Sequence, residues 1–488
     1  MKVANLFKRK KDRASSGNNA AKAGLWYTVG NMMIKGITFL SIPVFSRIMS
    51  QEDYGLYNTF LSYASILTIF LGLALNASIK NAKYDFPEKL NRYCSSLSLL
   101  ILCNTVVITV LSVVFSAQLG AFAALGGGMS ILMVAESFGN AMLTFYSASL
   151  AIDFRYKEYL GLSFFYSVSS ISLSILLILN VFPENGYLAR TLGSVVPLLL
   201  ISGYILARMF RSARPHVSKE YWKYGLKFSL PLIPHGLSQI LLSQFDRIMI
   251  LNTIGETKAG IYSFAYNIAI LYQVVSSSMD TAWTPWFYER MAAGDEEGVR
   301  KKTQWYVLLL SLLAVMLMLV CPEIILIMGG AKYAESKYSV IPIVLGIYFA
   351  FLYSLPAAVE YYHKKTKMIA VGTVCAAVAN IVLNAIFIPL YGYLAAAYTT
   401  VACYILYFFF HLFIARRILG RFLFNMKNLL FSALAVSGFS ALCLMLMEHT
   451  VLRLSVLGVL VLAVGAVAFH MRKELKQLIQ GLLGKQHS

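Results

Sequence analysis

Ionisable side chains inside long apolar stretches are the residues of this sequence with the clearest capacity for chemistry. Lys35, Glu136 and Asp280 each lie within such a stretch, and His235 directly follows a proline in another. A charged group inside a membrane costs roughly 2.5–3.5 kcal/mol on insertion scales, so it persists only beside a partner or water. Lys35 is therefore predicted to face a wet cavity, with a purely structural pair to Glu136 or Asp280 as the alternative. A lone histidine such as His235 is more often a packing group than a ligand.

Amides and further cations form a second group of candidates. Asn76, Lys80 and Asn81 lie close together at the end of the second apolar stretch, and Gln239 lies within the seventh. Such groups either line a polar cavity or hydrogen-bond neighbouring helices to one another. We predict that they line the same cavity as Lys35, Glu136, His235 and Asp280.

The composition places these residues in a membrane. The chain has 488 residues, of which 58% are hydrophobic and only 13% are charged, which leaves too little polar surface for a soluble globule. Apolar runs of about 20 residues, long enough to cross a bilayer as a helix, predict an all-α integral membrane protein with about fourteen transmembrane helices. They lie near 25–45, 57–79, 95–116, 129–151, 160–180, 187–208, 227–251, 260–284, 305–327, 338–361, 368–388, 393–414, 429–447 and 453–470.

The positive charges predict the orientation. Most of the 42 lysines and arginines fall in alternate loops and in the two tails, which puts both termini in the cytoplasm. The few on the other side are Arg47, Arg190, Lys258, Lys332, Lys337 and Arg453. The net charge of +20 is spread over every cytoplasmic turn, which favours contact with anionic lipids over nucleic acid.

A sequence motif occurs twice. Arg47–Met49 returns as Arg247–Met249, and Gly55–Tyr57 returns as Gly260–Tyr262. Two copies, each joining two apolar runs, predict two related halves in parallel orientation around a central site. Both arginines fall at predicted outer ends of spans, where arginine can snorkel to water. They are predicted to form an outer gate with neighbouring acids, with solvated pairs of little consequence as the alternative; the gate residues are Arg47, Glu52, Asp53, Asp246, Arg247 and Glu256.

Prolines interrupt the first span of each half, Pro43 in one and Pro231 and Pro234 in the other, which also points to a central binding site. The last two apolar stretches have no counterpart in the first half and are predicted to contain no buried charge. The predicted segments are a basic cytoplasmic tail (1–22), an N-terminal six-helix bundle (23–210), a cytoplasmic linker (211–226), a C-terminal six-helix bundle (227–415), two additional transmembrane helices (428–470) and a cytoplasmic tail (471–488).

Motifs for catalysis are absent from the sequence. There is no phosphate-binding loop, no H-E-x-x-H and no G-x-S-x-G. The cysteines are scattered through apolar stretches without metal-binding spacing and are predicted to be packing residues. We therefore predict neither an enzyme nor a metal or organic cofactor, and leave open a coupling ion, H⁺ or Na⁺.

Two stretches carry a resemblance to a known family. "SRIMSQEDYGLYNTF" with "LGLALNASIKNAKYD", and "YGLKFSLPLIPHGLSQILLSQFDRIMI" with "GIYSFAYNI", resemble bacterial polysaccharide-export flippases of the Wzx type. These belong to the multidrug/oligosaccharidyl-lipid/polysaccharide exporter superfamily. The resemblance implies two six-helix bundles around a central cavity plus two C-terminal helices.

The resemblance also implies a substrate, an undecaprenyl-diphosphate-linked sugar repeat unit moved from the cytoplasmic to the outer leaflet of the cell membrane by alternating access. Its diphosphate would need a cationic, wet path, which Lys35 could supply, and its sugars could hydrogen-bond to amides such as Asn76. Implied partners are membrane lipids and other polysaccharide assembly proteins. The alternatives are a lipid II flippase, a cation-coupled drug antiporter of the same superfamily and, last, a membrane polymerase or glycosyltransferase.

Overall fold

The computed structural model describes residues 30, 33–116, 118 and 128–470, and this part of the chain is helical without β-strands. The helices, in chain order, are α1 (33–48), α2 (Gln51–Gly72), α3 (Ile79–Asp85), α4 (Leu90–Val114), α5 (Met129–Ile152), α6 (Tyr156–Asn180), α7 (Gly186–Ser212), α8 (Lys219–Ser229), α9 (Ile233–Thr253), α10 (Glu256–Ala292), α11 (Glu296–Gly329), α12 (Lys337–Tyr362), α13 (Thr366–Tyr391), α14 (Leu394–Leu419), α15 (Met426–Leu446) and α16 (Thr450–His470). Short 3₁₀ turns occupy Leu75–Ser78, Leu230–Leu232 and Ala331–Ser336. The tails predicted at 1–22 and 471–488 lie outside the described residues.

The predicted membrane character is confirmed. Nine helices of the described part are long and apolar enough to cross a membrane. In a bilayer every backbone polar group must be satisfied within the protein, so a chain this apolar forms helices wherever it is surrounded by lipid. Several helices extend beyond their predicted ends. For example, α10 exceeds the predicted stretch 260–284 at both ends.

The end of α2 corrects the second predicted span. Leu73 and Ala74 adopt left-handed backbone conformations, with φ of 48° and 51°, which disfavour a continuing helix for residues with a Cβ atom. The stretch 57–79 is therefore not one helix. Asn76 lies in the 3₁₀ turn after the break, and Lys80 and Asn81 lie on the short α3.

The interruption predicted at the start of the second half is confirmed, whereas the one predicted at Pro43 is wrong, because α1 continues through Pro43 to residue 48 without a break. Pro231 lies in the 3₁₀ turn between α8 and α9, and Pro234 occupies the first turn of α9. Proline is tolerated there because the first backbone N–H groups of a helix have no partner within that helix.

Helix α8, in the predicted linker region, packs on its neighbours through one face. Tyr221, Gly225 and Ser229 are buried at spacings of four residues. The Tyr221 ring lies edge-on to that of Tyr93, with 5.6 Å between centroids. The Trp222 indole N–H donates to the Ser96 carbonyl at 3.0 Å. These contacts bury one face of α8 and leave its lysines exposed.

The chain divides into two compact units. The first runs to Asn267 and also includes Lys367–Thr399, and the second comprises Ile268–Thr366 and the chain from Thr400 onwards. The predicted division into two six-helix bundles with two further helices stays a prediction.

The expectation that the last two helices contain no buried charge is wrong. Arg453 on α16 is only 1% exposed. Its guanidinium forms two hydrogen bonds with the Glu323 carboxylate, of 2.7 and 2.6 Å, and also donates to the Leu319 carbonyl. This two-point ion pair, a geometry that guanidinium and carboxylate favour, attaches α16 to α11 within the second unit.

Candidate functional site

The two copies of the repeated motif meet in the first unit, where α2 crosses α10. A Cβ atom built on Gly55 would lie 2.3 Å from the carbonyl oxygen of Glu256 and 2.6 Å from the backbone nitrogen of Gly260. A Cβ atom built on Gly260 would lie 2.1 Å from the carbonyl oxygen of Gln51. Each glycine thus contacts the residue four positions before the other glycine. Such reciprocal contacts are expected of two copies related by a two-fold axis, and only glycine permits them.

Side chains beside this crossing join the copies further. The Thr257 hydroxyl donates to the Glu52 carboxylate at 2.7 Å. Asp53 accepts a hydrogen bond from the Tyr187 backbone N–H at 3.0 Å, and in the other copy the Lys258 ammonium lies 5.1 Å from the centre of the Tyr393 ring. Thr257 and Glu52 therefore link the two copies directly, whereas Asp53 and Lys258 each contact a tyrosine outside the motif.

The Tyr187 and Tyr393 contacts reveal a second repeat that the sequence analysis missed. Gly186–Ala189 and Gly392–Ala395 both read Gly-Tyr-Leu-Ala, with nearly the offset that separates Gly55 from Gly260. A search for further matches at that offset would have found it.

Asp246 lies at the centre of a buried hydrogen-bond network. Its carboxylate accepts from the Tyr262 hydroxyl and from the Asn384 amide, each at 2.7 Å. Asn384 also donates to the side-chain oxygen of Asn380 and accepts from the Thr399 hydroxyl. The network connects α9, α10, α13 and α14, and its α13 and α14 members were not predicted as site residues.

Arg247 is buried beside this network. It donates to the side-chain oxygen of Gln244, which also accepts from the Ser62 hydroxyl at 3.4 Å. Its guanidinium carbon lies 4.4 Å from the centre of the Tyr266 ring, a cation–π distance. The guanidinium therefore exchanges water for a polar contact from α9 and an aromatic contact from α10, and Gln244 connects it to α2.

These positions correct one expectation about the gate. Arg247 is 6% exposed and Asp246 is 1% exposed, so neither side chain reaches water at a span end. The expectation failed because α9 continues to Thr253, beyond the predicted end at 251, and because other helices cover this part of it. Glu52, Asp53, Arg47 and Glu256 are exposed or half-buried, as expected. A gating role for the six residues stays a prediction.

Two further charged side chains lie inside the first unit. Glu136 is buried, and its carboxylate accepts from the Asn140 amide at 3.2 Å and from the Tyr166 hydroxyl at 3.5 Å. The guanidinium of Arg190 lies 3.9 Å from the centre of the Phe45 ring and donates to the Ser174 hydroxyl at 2.6 Å. Arg190 was assigned to the outer mouth of a span and was not chosen as a site residue.

The remaining candidates are more exposed. Lys35, Lys80 and Asn81 are exposed, whereas Asn76, His235, Gln239 and Asp280 are half-buried. The described residues show no ion pair between Lys35 and Glu136, so that form of the structural alternative is not observed. The Nδ1 atom of His235 is buried without a hydrogen-bond partner in the described protein.

The second unit contains an acid–base pair that the sequence did not indicate. Glu360 and His411 are both fully buried, with 2.5 Å between Oε1 and Nδ1. The ring of Tyr407 lies against the histidine, with 4.4 Å between centroids. The other polar atom of each side chain has no partner among the described residues. Such a pair can hold a proton inside the unit. Spacing could not have revealed it, because the two residues lie on different helices.

The Asp246 network contains oxygen atoms that could bind a cation. Its carboxylate, amide and hydroxyl oxygens, from Asp246, Asn380, Asn384 and Thr399, are the kind of ligand that hard cations prefer. Within residues 33–116 and 128–470 no group of three or more His, Cys, Asp or Glu side chains comes together. The choice between H⁺ and Na⁺ as a coupling ion stays open.

One cavity lies where α4, α5 and α7 approach one another. It has a volume of about 420 Å³ and is lined in part by Arg155, Arg208 and Arg211. Two of these arginines already bond to the same carboxylate, that of Glu158. None of the candidate site residues lines this cavity.

The described helices share their fold with solved membrane proteins. A lipid II flippase, MurJ, in an inward closed conformation shares it with a TM-score of 0.70 at 14% identity, over 92% of this chain and all of that one. An inward-facing multidrug resistance MATE transporter of the MOP superfamily matches with a TM-score of 0.61 at 14% identity, over 80% of this chain and 99% of that one.

Sequence comparison then gives the family. The model of the family described as polysaccharide biosynthesis protein matches residues 20–291, and the MatE model matches residues 231–386. The chain belongs to the polysaccharide biosynthesis protein family, as its motifs suggested. A protein named for the Lsg locus of Haemophilus influenzae is 24% identical over 361 residues, covering 72% of this chain and 86% of that protein.

Proposed function

We propose that this protein is a flippase for lipid-linked oligosaccharides in the bacterial inner membrane, with both termini in the cytoplasm. The proposed substrate is an undecaprenyl-diphosphate-linked repeat unit. It enters from the cytoplasmic leaflet and leaves into the outer leaflet by alternating access, for assembly into a surface polysaccharide together with other assembly proteins.

The family match over residues 20–291 carries this proposal. It places the chain in polysaccharide biosynthesis, while nine helices of its described part are long and apolar enough to cross a membrane. A membrane protein of this pathway encounters sugars that are attached to a lipid. The fold shared with a lipid II flippase supports movement of the lipid as the task, and not bond-making chemistry.

The proposed substrate has two phosphates that cannot cross bare hydrocarbon, because unpaired charges in a low-dielectric medium are costly. Lys35 is the proposed cationic contact on this path. The candidate sugar and phosphate contacts remain Asn76, Lys80, Asn81, Glu136, His235, Gln239 and Asp280. The glycine crossing of α2 and α10 is the proposed fixed point, since backbones in such close contact transmit a tilt of one helix to the other.

Depletion in cells tests the function directly. Mass spectrometry should find undecaprenyl-diphosphate-linked repeat units accumulating when the protein is depleted, and a glycan-degrading enzyme added outside spheroplasts should fail to reach them. Normal access of that enzyme to the lipid-linked glycan during depletion would contradict the proposal.

Two other functions have specific support. The TM-score of 0.70 with a lipid II flippase favours lipid II as a cargo, and the MatE match over residues 231–386 favours a cation-coupled drug antiporter. Expression in cells depleted of their lipid II flippase should not restore growth if the cargo is a polysaccharide repeat unit. Drug resistance of a host without multidrug pumps should likewise be unchanged.

A further inference from the structure

A second cavity lies in the second unit, where α11 and α15 begin. Its volume is about 260 Å³. Arg300, Thr303 and Gln304 from α11 and Asn425 and Asn428 from the start of α15 provide its polar groups. None of these residues belongs to the candidate transport site.

The polar end of this cavity has the chemistry of an anion site. The Arg300 Nε–H donates to the Leu423 carbonyl at 3.2 Å, which positions the guanidinium and uses one of its five donors. Asn425 caps α15, where backbone N–H groups and the helix dipole favour negative charge. A helix N-terminus and one arginine alone would not define a site.

The hydroxyl of Thr303 provides an independent indication. Thr303 is 2% exposed, lines the cavity, and its Oγ1 atom has no hydrogen-bond partner in the described protein. Leaving a buried hydroxyl unbonded is unfavourable by about 1–3 kcal/mol. A ligand oxygen in the cavity would satisfy it.

The other wall of the cavity is apolar and open. Trp305 is 54% exposed, Leu308 is 44% exposed and Phe431 is 73% exposed, and all three line the cavity. In a membrane-spanning protein such a surface faces acyl chains. A ligand that fits both walls is an amphiphile with an anionic head.

Nearby charges favour an anion as well. The two carboxylates at the start of α11 are paired with cations, Glu296 with Arg421 at 2.6 Å and Glu297 with Lys301 at 2.7 Å. Lys427 in the first turn of α15 is exposed. The starts of α11 and α15 lie on the side that the charge distribution predicts to be cytoplasmic, where anionic phospholipids are abundant.

We propose that this cavity binds an anionic phospholipid of the cytoplasmic leaflet. The phosphate is held by Arg300, the Thr303 hydroxyl and the start of α15, and one acyl chain lies along Trp305 and Phe431. The site is distinct from the proposed transport path, so its test needs no transport substrate.

Quenching of tryptophan fluorescence by brominated lipids tests the site in the full-length protein in detergent. Brominated phosphatidylglycerol should quench Trp305, identified as the fluorescence lost in Trp305→Phe, more strongly than brominated phosphatidylcholine with the same chains. Arg300→Gln and Thr303→Val should each weaken phosphatidylglycerol binding about tenfold, the effect of losing a hydrogen bond to a charged group. Thr303→Ser should restore it. Arg211→Gln, at the other cavity, is the matched control and should bind as the wild type does.

Three outcomes would overturn the assignment. Equal quenching by the two lipids would show that the head group is not recognised. Displacement of phosphatidylglycerol by millimolar inorganic phosphate would identify an anion site that does not require a lipid. Stronger binding of undecaprenyl phosphate than of phosphatidylglycerol would identify a prenyl phosphate as the occupant. If Arg300→Gln does not fold, Thr303→Val and Thr303→Ser still decide the question.

Discussion

The buried pair between Arg453 and Glu323 makes an asymmetric prediction about stability. Arg453 is 1% exposed, whereas the Glu323 side chain is 34% exposed. Glu323→Gln leaves a guanidinium buried without its counter-charge, which should destabilise the protein by about 3 kcal/mol, the lower end of the range for breaking a buried pair. Arg453→Met leaves a carboxylate that water can still reach, so its cost should be about 1–2 kcal/mol.

The double variant makes this prediction decisive. Glu323→Gln together with Arg453→Met removes the stranded charge, so the double variant should unfold at a higher temperature than Glu323→Gln alone. The measurement is the thermal unfolding midpoint of protein purified in detergent. Glu297→Gln, which breaks an exposed pair with Lys301, is the control and should leave the midpoint near that of the wild type, because such pairs contribute little to stability. A double variant no more stable than Glu323→Gln would show that the buried charge is not the source of the instability.

Three further predictions concern other parts of the molecule. Gly260→Ala should lower both the unfolding midpoint and polysaccharide export, because the added methyl group would clash with the Gln51 carbonyl. Gly438→Ala, whose methyl group would meet no atom within 4 Å, should change neither. A Gly260→Ala variant that behaves as the wild type does would refute the close crossing. Lys35→Ala should abolish export while normal amounts of protein insert, as judged by membrane immunoblotting, and normal export would exclude Lys35 as the cationic contact. Hydrogen bonds, first from Lys337 and then from Tyr338, hold the pKa of Glu448 below its ordinary value of 4.5. The stabilising effect of the Glu448 carboxylate is therefore present above pH 4.5 and is lost as the pH falls through the lowered pKa. The unfolding midpoint of Glu448→Gln should be less sensitive to pH in that range than the midpoint of the wild type, and equal sensitivity would contradict this prediction.

The sequence alone determined the class of fold and the repeat. Lipid leaves the backbone no partners except its own, so apolar runs of bilayer length become helices, and hydropathy finds them. Proline is a local constraint, which is why the interruption at Pro231 could be predicted. Gly55 and Gly260 could be recognised as members of a repeat, but only the structure showed that they contact each other. The family resemblance followed from the same motifs.

Only the tertiary structure decided which charges are buried and what they bond to. Asp246 finds Asn384 on α13, and Arg453 finds Glu323 on α11, and these partners lie far away in the sequence. Hydropathy locates a helix end only within several residues, so Arg247 near the end of α9 could be read as exposed or buried. The packing of other helices around it, which depends on the whole fold, settled that it is buried.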